Sequence, residues 1–415
     1  MTIHSFCNAA TDIDVTNEKP KIIVFSSLFP NEMQPTAGVF VRERMFNVAL
    51  HLELCVVSPK PWFPFQGLVR FFKPHFRPPV AAYEVQSGID VFQPKYFSCP
   101  GVFKRFDGFF MAVCALRTVQ TLKNKHRVNL IDAHFTYPDG YAATLVGKWL
   151  DIPVTITLRG TEHRHSKDMA IKQRLQIAWH RAVHIFSVAE DLCCVARRLG
   201  VSNEKLQVVG NGVDLNKFTV LNKNEARLKL GLNPHDVVLV SVGGLVERKG
   251  FHRMIEIMPE LTHQFQDLRL LIVGGATAEG NNREQLEQQV KNLGMTEHVK
   301  FLGPKPHDQL AEILSASDVF VLATRNEGWA NVFLEAMACG LPVVTTDVGG
   351  NKEVVVSEDL GLLVPFGDQE ALLQAVTDAV QKRWNTKKIM QYAQANSWDQ
   401  RVQILIRKFK EIVNG

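Results

Sequence analysis

Short apolar segments alternate with longer helical segments along most of this chain, and this alternation constrains its fold more than any other feature. Residues 237–242 and 268–273 are rich in valine, leucine and isoleucine, which is typical of strands buried on both faces. Between them, residues 251–265 have the pattern of a helix. Parallel strands need connections long enough to hold a helix, so the alternation predicts an α/β fold with parallel sheets.

The alternation occurs twice, once in each half of the chain. Predicted strands lie at residues 20–27, 54–58, 129–134, 154–158, 185–188, 237–242, 268–273, 299–302, 318–324, 342–346 and 361–364. Glycine and asparagine interrupt the pattern at residues 210–214, where we place a domain boundary. The sequence therefore predicts two doubly wound domains, at residues 20–212 and 213–397, and an amphipathic helix at residues 398–415.

Composition excludes several classes of protein. Hydrophobic residues make up 46% of the chain and charged residues 21%, which is typical of a folded globular protein. The seven cysteines form no CxxC pair, which favours reduced thiols and a cytoplasmic location. The polar residues 1–19 are expected to be a loose tail and not a signal peptide. The longest apolar run, at residues 109–116, is too short to cross a bilayer.

Positive charge is concentrated in the first half. Between residues 60 and 127, eleven lysines and arginines accompany three acidic residues, and many aromatic residues lie among them. Basic and aromatic side chains together suit an anionic membrane surface, and they could also bind a single-stranded nucleic acid by stacking. We favour the membrane and expect no nucleic acid, because no known nucleic-acid-binding pattern accompanies them. The alternative is an aromatic core surrounded by solvated charges.

The segment at residues 318–342 carries the most informative chemical pattern. A buried strand leads to a loop with Glu327, and a helix follows that carries Glu335 and ends before Pro342. Backbone N–H groups at the helix start favour an anion such as a diphosphate. The residues expected around that anion or its attached sugar are Gly328, Trp329, Ala330, Asn331 and Val332. The two carboxylates are suited to accept hydrogen bonds from sugar hydroxyls.

Two glutamates separated by seven residues, in this context, resemble the EX7E segment of retaining glycosyltransferases of family 4 (glycosyl transferases group 1). Residues 211–214, Asn-Gly-Val-Asp, resemble the hinge region of that family. The resemblance implies the GT-B fold, in which two Rossmann-like domains face each other across a cleft and the last helix packs back on the first domain. It also implies that Glu327 faces the transferred sugar and that Glu335 binds the ribose of the donor nucleotide.

Residues 241–250 resemble the phosphate-binding segment of the family. Lys249 occupies the position of the family's lysine, where a cation can neutralise the charge on a leaving diphosphate. The family commonly has an arginine where this chain has Gly244, after Gly243, and neighbouring Arg248 is a candidate to replace it. Gly38 lies in the loop after the first strand, where its backbone could approach the phosphates closely.

The first domain is expected to bind the acceptor. His134 and Arg159 each end a predicted strand, and Glu162 follows Arg159 closely, so all three are candidate acceptor-binding residues. The family often has a histidine near the position of Arg159. A guanidinium suits a phosphate or a carboxylate but cannot act as a base. The alternative for His134 is an ordinary core histidine.

The resemblance therefore implies an enzyme that transfers a sugar, with retention of configuration, from a nucleotide-diphosphate sugar to an acceptor. No metal or other cofactor is expected, because the leaving phosphate itself takes the acceptor proton. A basic, aromatic first domain suggests a lipid-linked saccharide acceptor and a peripheral location on the inner face of the cell membrane. Alternatives are a nucleotide-sugar epimerase, a phosphorylase of related fold, and a non-catalytic protein that binds nucleotide or lipid.

Overall fold

The computed structural model describes residues 18–35, 37–72, 76–101, 103–277 and 279–415. Most of the tail predicted at residues 1–19 lies outside this described part. The described chain forms two α/β units, each built on a sheet made mainly of parallel strands. The predicted fold class of two doubly wound, Rossmann-like domains is confirmed.

In the described part of the chain, the first unit contains ten strands. These are β1 (Lys21–Phe25), β2 (Glu53–Val57), β3 (Lys60–Trp62), β4 (Tyr83–Gln86), β5 (Ile89–Phe92), β6 (Lys95–Phe97), β7 (Leu130–His134), β8 (Val154–Leu158), β9 (His184–Ser187) and β10 (Leu206–Val208). Eight of them form one sheet in the order β10-β9-β8-β7-β1-β2-β5-β4, and β3 pairs with β6. Among the described strand pairs of that eight-stranded sheet, only β4–β5 is antiparallel.

Among the described residues, seven α-helices accompany these strands. They are α1 (Val39–Ala49), α2 (Gln66–Phe72), α3 (Asp107–His126), α4 (Tyr141–Leu150), α5 (Glu162–His165), α6 (Met169–Arg181) and α7 (Glu190–Arg198). The central strands β7 and β8 are buried along their whole length, including their polar residues Asp132, His134, Thr155 and Thr157. The strands between residues 60 and 97 were not predicted, because their aromatic and charged residues do not give a regular pattern.

The second unit has a six-stranded, fully parallel sheet. Its strands are β11 (Val237–Val242), β12 (Leu268–Val273), β13 (Val299–Gly303), β14 (Val319–Leu322), β15 (Val343–Thr346) and β16 (Gly361–Val364), in the order β13-β12-β11-β14-β15-β16. Its helices are α8 (Lys223–Leu230), α9 (Phe251–Glu256), α10 (Met258–Gln264), α11 (Arg283–Asn292), α12 (His307–Ala316), α13 (Asn331–Ala338), α14 (Asn351–Val354), α15 (Gln369–Gln381) and α16 (Thr386–Ala395). The strand order changes direction between β11 and β14, where parallel sheets usually bind ligands.

One predicted helix differs from the structure. Residues 251–265 were predicted as a single helix, but the chain forms α9 and α10, which meet at Ile257. Pro259 lies in the first turn of α10 and has no N–H to donate, so an uninterrupted helix would lose a backbone hydrogen bond there.

The chain passes between the two units twice, and the two passages lie side by side. The Val213 N–H donates to the carbonyl of Asn396 (3.2 Å), and the Trp398 N–H donates to the carbonyl of Val213 (3.1 Å). The predicted boundary at residue 212 falls at the first passage. After the second passage, helix α17 (Trp398–Asn414) packs on the first unit, where buried Phe409 contacts Phe186 of β9 with ring centroids 5.6 Å apart.

Candidate active site

The loops that follow β11 and β14 lie next to each other, because these strands are neighbours in the sheet. The first loop supplies Lys249 and the second supplies Glu327. The two side chains form an ion pair, in which Lys249 Nζ lies 2.5 Å from Glu327 Oε1. Thr324 Oγ1 lies 3.2 Å from the same oxygen, and Glu327 is only 9% exposed. A partly desolvated ion pair therefore forms at the point where the strand order changes direction.

Arg248 extends over the same site. Its Nη1 lies 3.4 Å from Glu327 Oε1, while Nε and Nη2 donate to the two carboxylate oxygens of Glu279 at 2.6 and 2.9 Å. This bidentate pair raises the pKa of Arg248 above its ordinary value. The structure thus brings together the predicted catalytic residues Glu327, Lys249 and Arg248. Glu279 also belongs to this cluster of charged side chains, and the sequence pattern did not reveal it.

Gly244 occupies the position where the family commonly has an arginine. A Cβ atom on Gly244 would lie 2.2 Å from Cγ2 of Thr277, so a larger residue there requires the Thr277 side chain to move. The adjacent Gly243 packs against the aliphatic part of Lys249, with its Cβ position 3.4 Å from the Lys249 chain. Arg248 places a second cation near Glu327.

The backbone at Glu327 and Gly328 is held by two glycines in the loop after β15. A Cβ on Gly349 would lie 2.0 Å from the Glu327 carbonyl oxygen, and one on Gly350 would lie 2.3 Å from that of Gly328. The Gly350 N–H donates to the Glu327 carbonyl at 3.1 Å. This glycine pair therefore shapes the loop that carries Glu327.

The remaining predicted donor residues lie where the two units touch. A Cβ on Gly328 would lie 3.0 Å from the carbonyl oxygen of Arg159 in the first unit. The Trp329 ring covers Gly210, whose Cβ position is 2.5 Å from the ring. Ala330 and Val332 flank the start of α13. Asn331, the first residue of that helix, accepts a hydrogen bond from Asn211 at 2.8 Å.

Glu335 lies on α13 in a separate cavity of about 280 Å³ at the junction of the units. The cavity is also lined by Glu43 of α1 and by Lys217, whose Nζ lies 2.9 Å from a Glu43 oxygen. Burial and the nearby charge of Glu43 raise the pKa of Glu335 to about 7. Neither Glu43 nor Lys217 was predicted, because the contact joins segments that are far apart in the sequence.

Gly38 precedes α1 and has a left-handed backbone conformation, with φ of 73°. A Cβ there would lie 2.3 Å from the Leu28 carbonyl oxygen, so this close approach requires glycine. The next residues, Val39 and Phe40, line the cavity that contains Glu335. The structure therefore places Gly38 beside the candidate donor cavity.

The candidate acceptor residues lie at and just after the carboxyl ends of β7 and β8, where they contact one another or neighbouring side chains. Arg159 Nη2 lies 2.9 Å from His134 Nδ1 and its Nη1 donates to Asn211 at 2.8 Å, while His134 Nε2 lies 3.3 Å from Asp132. Burial lowers the pKa of His134 to about 4, so its ring is neutral near pH 7. Glu162 is fully buried, and it accepts hydrogen bonds from Thr136 Oγ1 (2.9 Å) and the Gly160 N–H (2.8 Å). Contact of these three residues with an acceptor stays a prediction.

Glu353 forms a second link across the cleft. Its two carboxylate oxygens accept hydrogen bonds from the Glu190 N–H (2.6 Å) and the Asp191 N–H (3.2 Å) at the start of α7. A carboxylate is stabilised at a helix N-terminus by the free N–H groups and the helix dipole. This contact was not predicted, because α7 and Glu353 belong to different units and lie far apart in the sequence.

GT-B glycosyltransferases have two Rossmann-like units, each with a parallel sheet, on either side of a cleft. They also have a lysine and two glutamates at the carboxyl end of the second sheet, as this chain does. The family models agree, since residues 69–217 match Glycosyltransferase Family 4 and residues 222–396 match Glycosyl transferases group 1. The chain belongs to this glycosyltransferase family, and its predicted assignment as a transferase is confirmed.

Individual relatives cover most of the chain. TuaC of Bacillus subtilis (strain 168), a glycosyltransferase assigned to teichuronic acid biosynthesis, is 31% identical over 86% of this chain and 88% of its own length. A D-inositol 3-phosphate glycosyltransferase of Corynebacterium urealyticum is 29% identical over 68% of this chain and 72% of its own.

Solved structures show the same fold. Sucrose-phosphate synthase of Thermosynechococcus elongatus superposes with a TM-score of 0.75 at 20% identity, over 95% of this chain and 99% of that one. HepE of Anabaena in complex with UDP gives a TM-score of 0.71 at 19% identity, over 94% of this chain and 100% of that one. Within the described residues, no helix combines the length and the apolar character needed to cross a membrane.

The raised pKa of Glu335 predicts a specific effect of pH on stability. Between its ordinary value of 4.5 and about 7, the native state binds more protons at this carboxyl than the unfolded state does. The unfolding free energy should therefore fall as pH rises through this interval. Glu335→Gln removes this carboxyl and with it this fall in unfolding free energy. The unfolding free energy of the variant minus that of the parent protein should therefore increase between about pH 5 and about pH 8.

Urea unfolding at a series of pH values measures this difference. Glu43→Gln is a matched variant, because removal of the neighbouring charge should weaken the pH dependence without removing the Glu335 carboxyl. Parallel stability profiles for the parent protein and Glu335→Gln would contradict the prediction.

Proposed function

We propose that this glycosyltransferase uses a nucleotide-diphosphate sugar and retains the anomeric configuration of the transferred sugar. The observation that supports this most is the convergence of Lys249 and Arg248 on Glu327 beside the start of α13. Two cations beside a carboxylate suit a diphosphate attached to a sugar, since the cations bind the phosphates and the carboxylate accepts hydrogen bonds from sugar hydroxyls.

The nucleotide would extend from this cluster toward the cavity that contains Glu335. There the ribose hydroxyls would donate to the Glu335 carboxylate, beside Gly38 and the first turn of α1. The structures of HepE with UDP and with UDP-glucose belong to proteins of the same fold, and they favour a nucleotide-sugar donor for this chain.

We propose retention because the Glu327–Glu335 segment resembles that of retaining glycosyltransferases of family 4. The contacts of Glu327 then bear on how retention is achieved. Its carboxylate is engaged by Lys249 at 2.5 Å and lies close to Thr324 and Arg248, so it is poorly suited to attack the anomeric carbon. In the proposed reaction the acceptor oxygen bonds to that carbon on the face from which the diphosphate leaves. The departing phosphate oxygen takes the acceptor proton, and Lys249 and Arg248 stabilise the negative charge that develops. The proposal requires no metal.

The acceptor is proposed to be a lipid-linked saccharide in the synthesis of a cell-surface polysaccharide. The resemblance to TuaC, named for teichuronic acid biosynthesis, and the basic aromatic segment of the first domain support this class. The acceptor would enter the cleft from the side of His134 and Arg159.

A panel of nucleotide sugars in a thermal-shift assay tests the proposed donor class. The matching donor should raise the melting temperature, and it should release nucleoside diphosphate when a lipid-linked saccharide fraction is added. NMR of the product should show the anomeric configuration of the donor. An inverted product would refute retention. Interconversion of the free donor would indicate an epimerase, and sugar phosphate formed with inorganic phosphate would indicate a phosphorylase.

The two glutamates are expected to have separable roles. Glu335→Gln should weaken nucleoside diphosphate binding by about tenfold, because hydrogen bonds to a charged group are replaced by weaker ones. Glu327→Gln should lower kcat with little change in that affinity. Calorimetric titration with nucleoside diphosphate and initial rates with the full donor measure the two effects, and equal loss of affinity in both variants would contradict the division.

Arg248 is expected to replace the arginine that Gly244 cannot supply. Arg248→Ala should lower kcat by about a hundredfold, as expected for loss of one donor to the leaving group. Arg325→Ala is the matched control, because this nearby arginine is exposed and lies 4.0 Å from Glu247. Introducing Gly244→Arg into the Arg248→Ala protein should not restore activity, since Thr277 fills the space. Full activity of Arg248→Ala in steady-state assays would refute the role.

A further inference from the structure

The first unit contains a pocket whose charge is not explained by the candidate active site. It has a volume of about 270 Å³ and lies between β3, β6, α2 and residues 77–80. Four cationic side chains line it, from Lys60, Arg70, Arg77 and Lys95. No aspartate or glutamate is found among the described residues that line this pocket.

Backbone carbonyl groups hold three of these cations in place. Lys60 Nζ donates to the carbonyls of Ser27 (3.0 Å) and Phe29 (3.3 Å), and Arg77 Nη1 donates to that of Ser98 (2.6 Å). Arg70 Nε donates to the carbonyls of residues 76 and 77.

These carbonyl groups orient the cations without neutralising them. Within the described part of the chain, none of the four cations forms an ion pair with a carboxylate. Burial also lowers the pKa of Lys60 to about 8, so its charged form carries a desolvation cost that a bound anion would offset. The pocket is therefore suited to an anion with several oxygen atoms, such as a phosphate.

The rim of the pocket is unusually apolar. Helix α2 has no buried residue, and Phe71 and Phe72 on it are 83% and 80% exposed. Phe65, which lines the pocket, is 80% exposed, and Leu68 is 67% exposed. Several large apolar side chains that protrude together into solvent mark an interaction surface and not a core.

The apolar surface continues from β6 toward α3. Exposed Phe97 on β6 packs against Phe110 with ring centroids 5.6 Å apart, and Phe110 packs against exposed Phe109 at 6.0 Å. The phosphate-sized pocket is thus bordered by protruding apolar side chains on α2 and flanked by further rings on β6 and α3.

We propose that this surface docks on an anionic phospholipid bilayer, with a lipid phosphate in the four-cation pocket and the side chains of Phe65, Leu68, Phe71 and Phe72 inserted at the membrane interface. A bilayer explains both features at once, because the headgroup layer presents phosphates directly above apolar chains. A soluble phosphate would not cover the exposed rings. A nucleic acid would need flat stacking partners along a groove, whereas Leu68 offers no ring. This docking does not depend on the donor, so it can be tested without the glycosyltransferase reaction.

Flotation of the full-length protein with lipid vesicles tests the docking surface. The protein should float with vesicles of phosphatidylcholine and phosphatidylglycerol, and much less with phosphatidylcholine alone. Added salt should weaken the binding by screening. Lys95→Ala should lower the partition coefficient by about fivefold, the effect of one cation near an anionic surface. Phe71→Ser with Phe72→Ser should lower it by tenfold or more, because two exposed rings would be lost from the interface.

Matched controls lie on the second unit. Leu228→Ser on α8 replaces a side chain that is 79% exposed, and Lys387→Ala on α16 removes an exposed cation, so neither should change flotation. All substituted side chains are exposed, and circular dichroism should show an unchanged fold. The Phe71 and Phe72 variant should also bind nucleoside diphosphate normally in the absence of membranes.

Four results would overturn the proposal. These are equal flotation with neutral vesicles, equal loss in the control variants, release from vesicles by millimolar glycerol phosphate, and preferential binding of a single-stranded oligonucleotide over anionic vesicles. Release by glycerol phosphate would indicate a soluble-phosphate site, and the oligonucleotide result would indicate a stacking surface. Failure of any donor to bind would refute the proposed function and leave the flotation result unaffected.

Discussion

The arrangement of the cleft depends on how closely the backbone can pack around Glu327 and Gly328. Gly349 and Gly350 lie against the carbonyl groups of these residues from within the second unit, and the Arg159 carbonyl approaches Gly328 from the first unit. A side chain at Gly349 or Gly350 would overlap a backbone oxygen, and one at Gly328 would make a tight contact with the Arg159 oxygen. Backbone atoms cannot turn aside as a flexible side chain can. This packing fixes the loop that presents Glu327 to Lys249. The same loop also leads directly into α13, which carries Glu335 on its next turns.

Charge in the cleft is arranged so that a diphosphate would exchange partners with groups already present. Lys249 is paired with Glu327, and Arg248 is paired with Glu279, so neither cation lacks a counter-charge in the described structure. An incoming diphosphate would take over these cations, which are already oriented and partly desolvated. Such preorganisation is how an active site stabilises developing charge without reorganising during the reaction. The absence of an arginine at position 244 is compatible with this arrangement. Arg248 lies on the same loop as Gly244, and its partner Glu279 lies on the same loop as Thr277.

The sequence predicted those features that depend on local pattern. Buried strands, the strand–loop–helix segment with Glu327 and Glu335, and the position of Lys249 all follow from residue spacing and from a family resemblance. Contacts between distant segments could not be predicted, because nothing in the pattern near Glu335 indicates Glu43 or Lys217, and nothing near Glu353 indicates the start of α7. The excess of lysine and arginine between residues 60 and 127 was evident from the sequence. That four of these cations converge on one pocket depends on the pairing of β3 with β6, which the irregular sequence there did not reveal.

The two units are joined in a way that connects the first sheet to the donor helix. His134 and Arg159 end neighbouring strands of the first sheet, Arg159 donates to Asn211, and Asn211 donates to Asn331 at the start of α13. Rotation about the paired passages at residues 213 and 397 would break the Asn211–Asn331 bond and the hydrogen bonds from α7 to Glu353. These hydrogen bonds hold the two units together in the described structure. The four-cation pocket lies wholly within the first unit, so opening of the cleft would leave it intact, and a membrane-bound first unit could stay in place while the second unit exchanges its donor.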